Sequence, residues 1–331
     1  MNNQSLNAKQ DVKNVSFVSL EQAISDDKND ILSGFMEEQK TINAKYFYDH
    51  RGSVLFEKIT ELPEYYLTRT EKLIMKKHAD EMAEVCGDGC VLIEPGSGSS
   101  EKVRILLDHL QPQSYVPIDV SGDFLEMSAK KLGSEYPWIN IDAICADFSQ
   151  SLIYSDNIPV GRRVFFYPGS TIGNMNPQDA VAFLKLLNDS IKQGGGEGGI
   201  LIGIDLVKPA SLLNSAYNDS QGVTAEFNLN VLNNINTLAH ATFNTNNFSH
   251  LAQFNEEKSR IEMHLISHCN HSVRVGESLV SFKEGERIHT ENSYKYTLSD
   301  IGRLAEQAEL KVQRTWTDED SLFSVHYLIP R

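Results

Sequence analysis

Residues 91–102 read "VLIEPGSGSSEK". An apolar run, Val91-Leu92-Ile93, ends in Glu94; a loop of Pro, Gly and Ser follows, then the polar start of a helix. Strand, glycine turn and helix together form the opening of an α/β nucleotide site. The rhythm continues downstream. "SEKVRILLDHL" places Val103, Leu106, Leu107 and Leu110 on one helical stripe, and "SYVPIDV" is a second strand ending in Asp119. "SGDFLEMSAKKLGSEY" is a helix, "NIDAICADF" a third strand ending in Asp147, and "GRRVFFYPGS" a fourth. "PQDAVAFLKLLNDSI" is the next helix, with Pro177 near its start, and "GGILIGIDLV" is a fifth strand. Strands alternating with helices predict a parallel sheet with right-handed crossovers.

The rhythm stops near Pro209. "LLNSAYNDSQGVTAEFNLNVLNNINTLAH" has helical spacing and is rich in Asn. An antiparallel region follows, from "FSHLAQFNEEKSRIEMHLISHCNHSVRV" to "HTENSYKY". "TLSDIGRLAEQAEL" then reads as a capped helix, and "KVQRTWTDEDSLFSVHYLIP" as two strands around an acidic turn. Upstream of the loop, "RGSVLFEKITEL" and "TRTEKLIMKKHADEMAEVC" are helical, the latter with Thr68 or Thr70 as cap. Residues 16–45 read as irregular structure and a helix, with a capping box at Ser19 and Gln22, behind a polar, frayed start. The fold expected is a Rossmann-like, seven-stranded α/β domain of residues 70–208 and 296–331. A second lobe is expected from residues 1–69 and 209–295.

Bulk properties exclude several classes. The chain has 331 residues, 40% hydrophobic and 23% charged, with a net charge of −15. Such a balance disfavours nucleic acid and anionic membranes, which both require a cationic face. No apolar run reaches the ~18 residues of a membrane span, and the start has no signal-peptide core, so a cytoplasmic protein is expected. Cys86, Cys90, Cys145 and Cys269 form no secreted-protein framework. "HCNH" around Cys269 reads as strand rather than as a metal site, so no metal is expected.

The loop itself decides the ligand. A Walker loop needs Gly-Lys followed by Ser or Thr, but here Lys102 follows Glu101 beyond the glycines. A dinucleotide fingerprint needs a third small residue after Gly96 and Gly98, and Glu or Lys stands there. Glu94 beside the loop would repel phosphates. An uncharged ribose carrying a sulfonium suits the loop better. Asp119 can accept from the ribose hydroxyls, while Asp147 and Phe148 can meet the adenine edge and face. These are the strand-end positions of an S-adenosylmethionine site. The closing antiparallel hairpin is the edge usual for methyltransferases of this class.

Longer stretches carry a resemblance. Residues 46–71, "YFYDHRGSVLFEKITELPEYYLTRTE", lead into "EPGSGSSEK", "YVPIDVS", "ADF", "PGSTIGN", "DLVK", "AYNDSQGVTAEFNLNVL" and "TENSYKY". Together they resemble the histidine-specific Nα-methyltransferases of ergothioneine biosynthesis, from about residue 16 to the C-terminus. The resemblance implies three successive methyl transfers from S-adenosylmethionine to the α-amine of L-histidine, giving hercynine. It implies donor contacts at Gly96, Ser97, Gly98, Lys102, Asp119, Asp147, Phe148 and Gly169. It implies that Asn174 and Tyr217 hold the substrate carboxylate, Tyr65 lies nearest the amine, and Tyr48 lies near the imidazole. Glu291 and Ser293 would read the ring nitrogens beside an apolar wall at Met263. Pro95, Tyr167-Pro168 and Asn292 depart mildly from the pattern without removing a functional group.

The chemistry suits these residues. The nucleophile must be a neutral amine, and an α-amine titrates near ~8, so a nearby sulfonium that lowers its pKa assists. Alignment and desolvation then carry catalysis, and no strong base is required. A carboxylate and a hydroxyl give each ring nitrogen a partner and reject phenylalanine. The expected partner is a small amino acid, the expected state a monomer. The alternatives are a same-fold N-methyltransferase acting on another amino acid or a tryptophan derivative, a non-catalytic adenosyl-binding protein, and a nicotinamide oxidoreductase. Position 291 separates the first from the histidine enzyme. An intact loop and intact acids argue against the second, and the failed fingerprint against the third.

Overall fold

Val91–Pro95 is buried along its whole length, and the sheet grows outward from it on both sides. A computed structural model describes residues 12–20, 27–148 and 156–331. The strands, in chain order, begin with β1 (Val15–Ser19), β2 (Val91–Pro95), β3 (Ser114–Asp119), β4 (Asn140–Cys145), β5 (Arg163–Tyr167) and β6 (Gly198–Asp205). They continue with β7 (Phe248–Asn255), β8 (Arg260–Ser267), β9 (His271–Val275), β10 (Ser278–Phe282), β11 (Arg287–Tyr294), β12 (Leu310–Thr317) and β13 (Phe323–Pro330). The α-helices are α1 (Asp27–Met36), α2 (His50–Thr60), α3 (Tyr66–Lys77), α4 (Ala79–Cys86) and α5 (Arg104–Leu110). After them come α6 (Gly122–Glu135), α7 (Pro177–Gln193), α8 (Ala210–Tyr217), α9 (Val223–Leu238) and α10 (Leu298–Gln307).

The main sheet has the order β1-β4-β3-β2-β5-β6-β13-β12. β1 through β6 pair in parallel, while β13 runs antiparallel to β6 and carries β12 on its outer edge. Because β2 pairs with both β3 and β5, strand order reverses there, and a crevice opens at the carboxyl ends. The seven strands expected of an α/β methyltransferase sheet are present, closed by the antiparallel hairpin. An eighth, β1, pairs with β4 from Val15 against Ile141 to Ser19 against Cys145. Residues 15–19 therefore sit in this sheet, although the sequence grouped them with the second lobe.

Local signals explain most elements. Asp300 returns a hydrogen bond to Thr297 in a complete capping box that starts α10. Asn176 occupies the cap position of α7, ahead of Pro177. The expected cap at Thr68 or Thr70 is corrected: α3 starts at Tyr66, both threonines are buried within it, and Thr70 Oγ1 donates back to Tyr66 O at 2.9 Å. The run expected as one helix breaks at His78 into α3 and α4. Ser19 ends β1, and Gln22, its expected capping-box partner, lies outside the described residues, as does most of the frayed start.

The antiparallel region forms two sheets, β11-β8-β7 and β10-β9. The N-terminal segment packs on β11 and on α9. Thr41 bridges His289, and the rings of Phe47 and Phe227 stack 4.7 Å apart. The asparagines of α9 account for its odd composition, because they bind neighbouring segments. Asn230 Nδ2 donates to Asp49 Oδ1 at 2.9 Å, Asn234 Nδ2 to Tyr46 O at 2.8 Å, and Asn228 Nδ2 to His264 O at 3.0 Å. Among the described residues no helix is long and apolar enough to cross a membrane.

Candidate active site

The glycine turn after β2 is tied to the end of β3. The N–H groups of Gly96 and Ser97 donate to Ile118 O at 2.7 and 3.2 Å, and Gly98 N donates to Asp119 Oδ2 at 2.9 Å. Gly96 has φ 71° and Gly98 φ 51°, left-handed values that glycine adopts without a Cβ penalty. A Cβ on Gly96 would stand 3.3 Å from the Phe148 ring, so the loop and that ring face each other closely. Phe148 packs in turn on Tyr167 and Phe183, with centroids 6.4 and 6.1 Å away. Asp147 beside it is buried.

Lys102 and Gly169 meet at a residue the sequence reading missed. Glu71, on α3 and 1% exposed, lies 2.5 Å from Lys102 Nζ. Its two oxygens also accept from Gly169 N at 2.8 and 3.0 Å. Gly203 makes room for it, since a Cβ there would fall 1.9 Å from Glu71 Oε1. No local motif marks Glu71; its partners lie 31 and 98 residues away.

This crevice fits a ribose-bearing ligand. Asp119 Oδ1 accepts from Ser121 N at 3.0 Å, and burial raises its pKa against the pull of the Ser121 and Gly98 amides. Ser97 Oγ is buried without a protein partner in the same loop. Glu94 behaves differently from the sequence argument. It points inward, 2% exposed, accepts from the Tyr115 hydroxyl, and burial lifts its carboxyl to about 8. Burial therefore favours its protonated form, and the exclusion of phosphate rests on the missing Gly-Lys pair rather than on its charge.

The opposite wall comes from the antiparallel sheet. In the β8–β11 ladder Met263 lies directly across from Glu291, and Ile261 across from Ser293. Glu291 and Ser293, two apart, share a face of the strand. Glu291 keeps some contact with solvent, yet burial lifts its carboxyl to about 7, with the Lys295 charge opposing. Tyr217, the last residue of α8, brings its hydroxyl within 2.8 Å of Ser293 Oγ. The Tyr65 ring stands 6.1 Å from that of Tyr217 and 6.5 Å from Phe56. Tyr48 packs at 5.8 Å from Phe56 and 6.0 Å from Phe227. Asn174 ends a short 3₁₀ turn whose Gly173 backs so closely onto β11 that a Cβ would lie 2.8 Å from Tyr294 O.

The two walls belong to one site. Burial first, then the charge of Glu291, raises the pKa of Tyr48, on which Asp119 also acts; burial first, then the charge of Asp205 and more weakly that of Glu291, raises that of Tyr217. Ser121 Oγ donates to Tyr48 O at 2.8 Å, joining the turn after β3 to the N-terminal segment. Phe56, like Glu71, is a site neighbour that sequence reasoning missed; a lone Phe on a helix gives no signal of its own.

A parallel sheet with an antiparallel closing hairpin, a glycine turn and strand-end acids at its switch point define an S-adenosylmethionine-dependent methyltransferase fold. The chain matches, over residues 27–330, the family described as histidine-specific methyltransferase, SAM-dependent, and it belongs to that family. It is 41% identical over 305 residues to a histidine N-alpha-methyltransferase of Mycobacterium tuberculosis, covering 90% of this chain and 93% of that one. It is 33% identical over 280 residues to ergothioneine biosynthesis protein 1 of Neurospora crassa, covering 82% of this chain and 31% of that one. It is also 28% identical, over 87% of its length and 90% of the other, to a 4-dimethylallyltryptophan N-methyltransferase of Epichloe festucae var. lolii.

Proposed function

We propose that this protein trimethylates the α-amino group of L-histidine to hercynine, using three molecules of S-adenosylmethionine, as the first step of ergothioneine biosynthesis. The observation that carries the reading is the pairing of Glu291 with Ser293 on one strand face, opposite Met263 and against Tyr217. A carboxylate accepts from one ring N–H, and a hydroxyl serves the other nitrogen. An indole offers one N–H and nothing for Ser293, which disfavours the tryptophan-derivative reading despite the 28% relative.

The donor supplies an electrophilic methyl group. On this reading Gly96, Ser97, Gly98, Lys102, Asp119, Asp147, Phe148 and Gly169 hold it, and residues 209–295 with much of 1–69 form the substrate lobe. Asn174 and Tyr217 hold the carboxylate, and Tyr65 stands nearest the amine. Burial pushes the Tyr48 and Tyr65 phenols well above their ordinary range, so both remain neutral and act through hydrogen bonds rather than as bases. The amine releases its proton to solvent, and alignment supplies the rate, up to ~7–11 kcal/mol in favourable cases. The rings of Tyr48, Tyr65, Phe56 and Phe227 suit an amine that becomes a permanent cation, because aromatic faces attract such groups.

The net charge of −15 supports a small-molecule enzyme without nucleic-acid or membrane partners. The same reading takes the protein as a cytoplasmic monomer. Mass spectrometry after incubation with histidine and S-adenosylmethionine tests the activity. A product heavier by three methyl groups, absent with tryptophan, is expected; no change in histidine mass would overturn the proposal.

A further inference from the structure

Behind the Tyr217–Ser293 pair lies a buried cluster with no role in the site as described so far. Lys295 Nζ is 2.8 Å from Ser293 Oγ, 3.1 Å from Tyr217 Oη and 2.7 Å from Asp205 Oδ2. Asp205, at the end of β6, accepts from the Tyr66 hydroxyl at 2.9 and 2.8 Å and lies 2.5 Å from Lys208 Nζ. Lys295 is 2% exposed and Asp205 0%. An ammonium has three protons and no lone pair, so three acceptors saturate it. Tyr217 and Ser293 must both accept from Lys295. They also share one hydrogen bond of 2.8 Å, which consumes one of their two hydroxyl protons. One hydroxyl proton remains to be offered outward, and the pair has little capacity left to accept.

We propose that Lys295 is a positioning and specificity-determining residue: by donating to both Tyr217 and Ser293 it turns the Ser293 proton onto Tyr217 and frees the Tyr217 hydroxyl as a directed donor, backed by positive charge, to the carboxylate of an amino-acid substrate, leaving one Ser293 lone pair for a ring N–H. A carboxylate only accepts hydrogen bonds and carries the charge that the ammonium favours; a primary amide can accept with its carbonyl oxygen, but it has no charge and brings two N–H donors to a site with little capacity to accept. Lys295 thus selects a free carboxylate over its neutral derivatives. This inference rests on the reading of the pocket as an amino-acid site.

The test is Lys295→Met, which keeps chain length and removes the ammonium. Asp205 stays partnered by Tyr66 and Lys208. Turnover of histidine is compared with turnover of histidinamide. In wild type, kcat/KM favours histidine; in the variant that ratio is expected to fall about tenfold or more, the scale of one charge-assisted hydrogen bond. Loss of fold quality alone would depress both substrates together and leave the ratio unchanged, which overturns the proposal. Should Lys295→Met fail to fold, Lys295→Gln, which removes the charge while keeping a polar side chain beside Asp205, is read the same way. Absence of histidine turnover in wild type would instead overturn the substrate assignment itself, and the inference with it.

Discussion

Lys102 Nζ stands 2.5 Å from the buried carboxylate of Glu71, whose other contact is the backbone N–H of Gly169. One side chain on α3 thereby holds both the lysine after the glycine turn and the loop after β5. Breaking a buried pair by removing one partner costs roughly 3–5 kcal/mol. Glu71→Gln is expected to lower the melting temperature and to weaken S-adenosylmethionine binding about tenfold, read by calorimetry. Gly203→Ala should mimic it, since its Cβ would fall 1.9 Å from Glu71 Oε1 and displace it. Unchanged donor affinity in both variants would remove Glu71 from the donor site.

Glu291→Ala is expected to raise the KM for histidine about a hundredfold while S-adenosylmethionine affinity stays within about twofold, because a buried ring N–H loses its only charged acceptor. Equal losses for both ligands would mean that β11 supports the fold rather than reads the substrate.

The carboxyl of Glu291, lifted to about 7 by burial, is expected to make histidine binding pH-dependent. The ionised form is the acceptor, so affinity should increase from pH 6 to 8 and binding near pH 7 should release a proton. Calorimetry in buffers of different ionisation enthalpy measures that release, and Glu291→Gln should abolish its share. Proton release identical in wild type and variant would assign it to another group.

Glu94 sets a second, opposite dependence. Its native carboxyl titrates at about 8 against an ordinary value of 4.5, so between those values the native state binds a proton that the unfolded chain does not. Its contribution is full below pH 4.5 and declines as pH rises through about 8. Glu94→Gln keeps an acceptor for Tyr115 and removes the titration. Its melting temperature relative to wild type should rise between pH 6 and 9. A difference that does not change with pH would show that Glu94 is ionised already.

The periodic part of the fold was legible because each element carries its own signal. "VLIEP" opens on three apolar residues and is a fully buried strand; Thr297 and Asp300 cap a helix where their spacing says they should. β1 was not legible. It is an exposed edge strand of five residues whose partner lies about 126 residues along the chain, so it buries too little to impose a pattern. Thr68 and Thr70 misled for a related reason: a threonine that can cap can also be packed, and burial decided.

From the sequence alone came the strand–helix order, the glycine turn and the strand-end acids at Asp119 and Asp147, each a local pattern or a residue type at a recognisable spacing. The expected readers Glu291 and Ser293 came from the resemblance of "TENSYKY" to the family. Only the tertiary structure put Met263 across from Glu291, turned Glu94 inward where burial raises its pKa, and seated Glu71 between Lys102 and Gly169. Only it surrounded Asp205 with Tyr66, Lys208 and Lys295. Charges in a protein interior are governed by burial and by partners distant in the chain, and neither is written at the position of the charged residue itself.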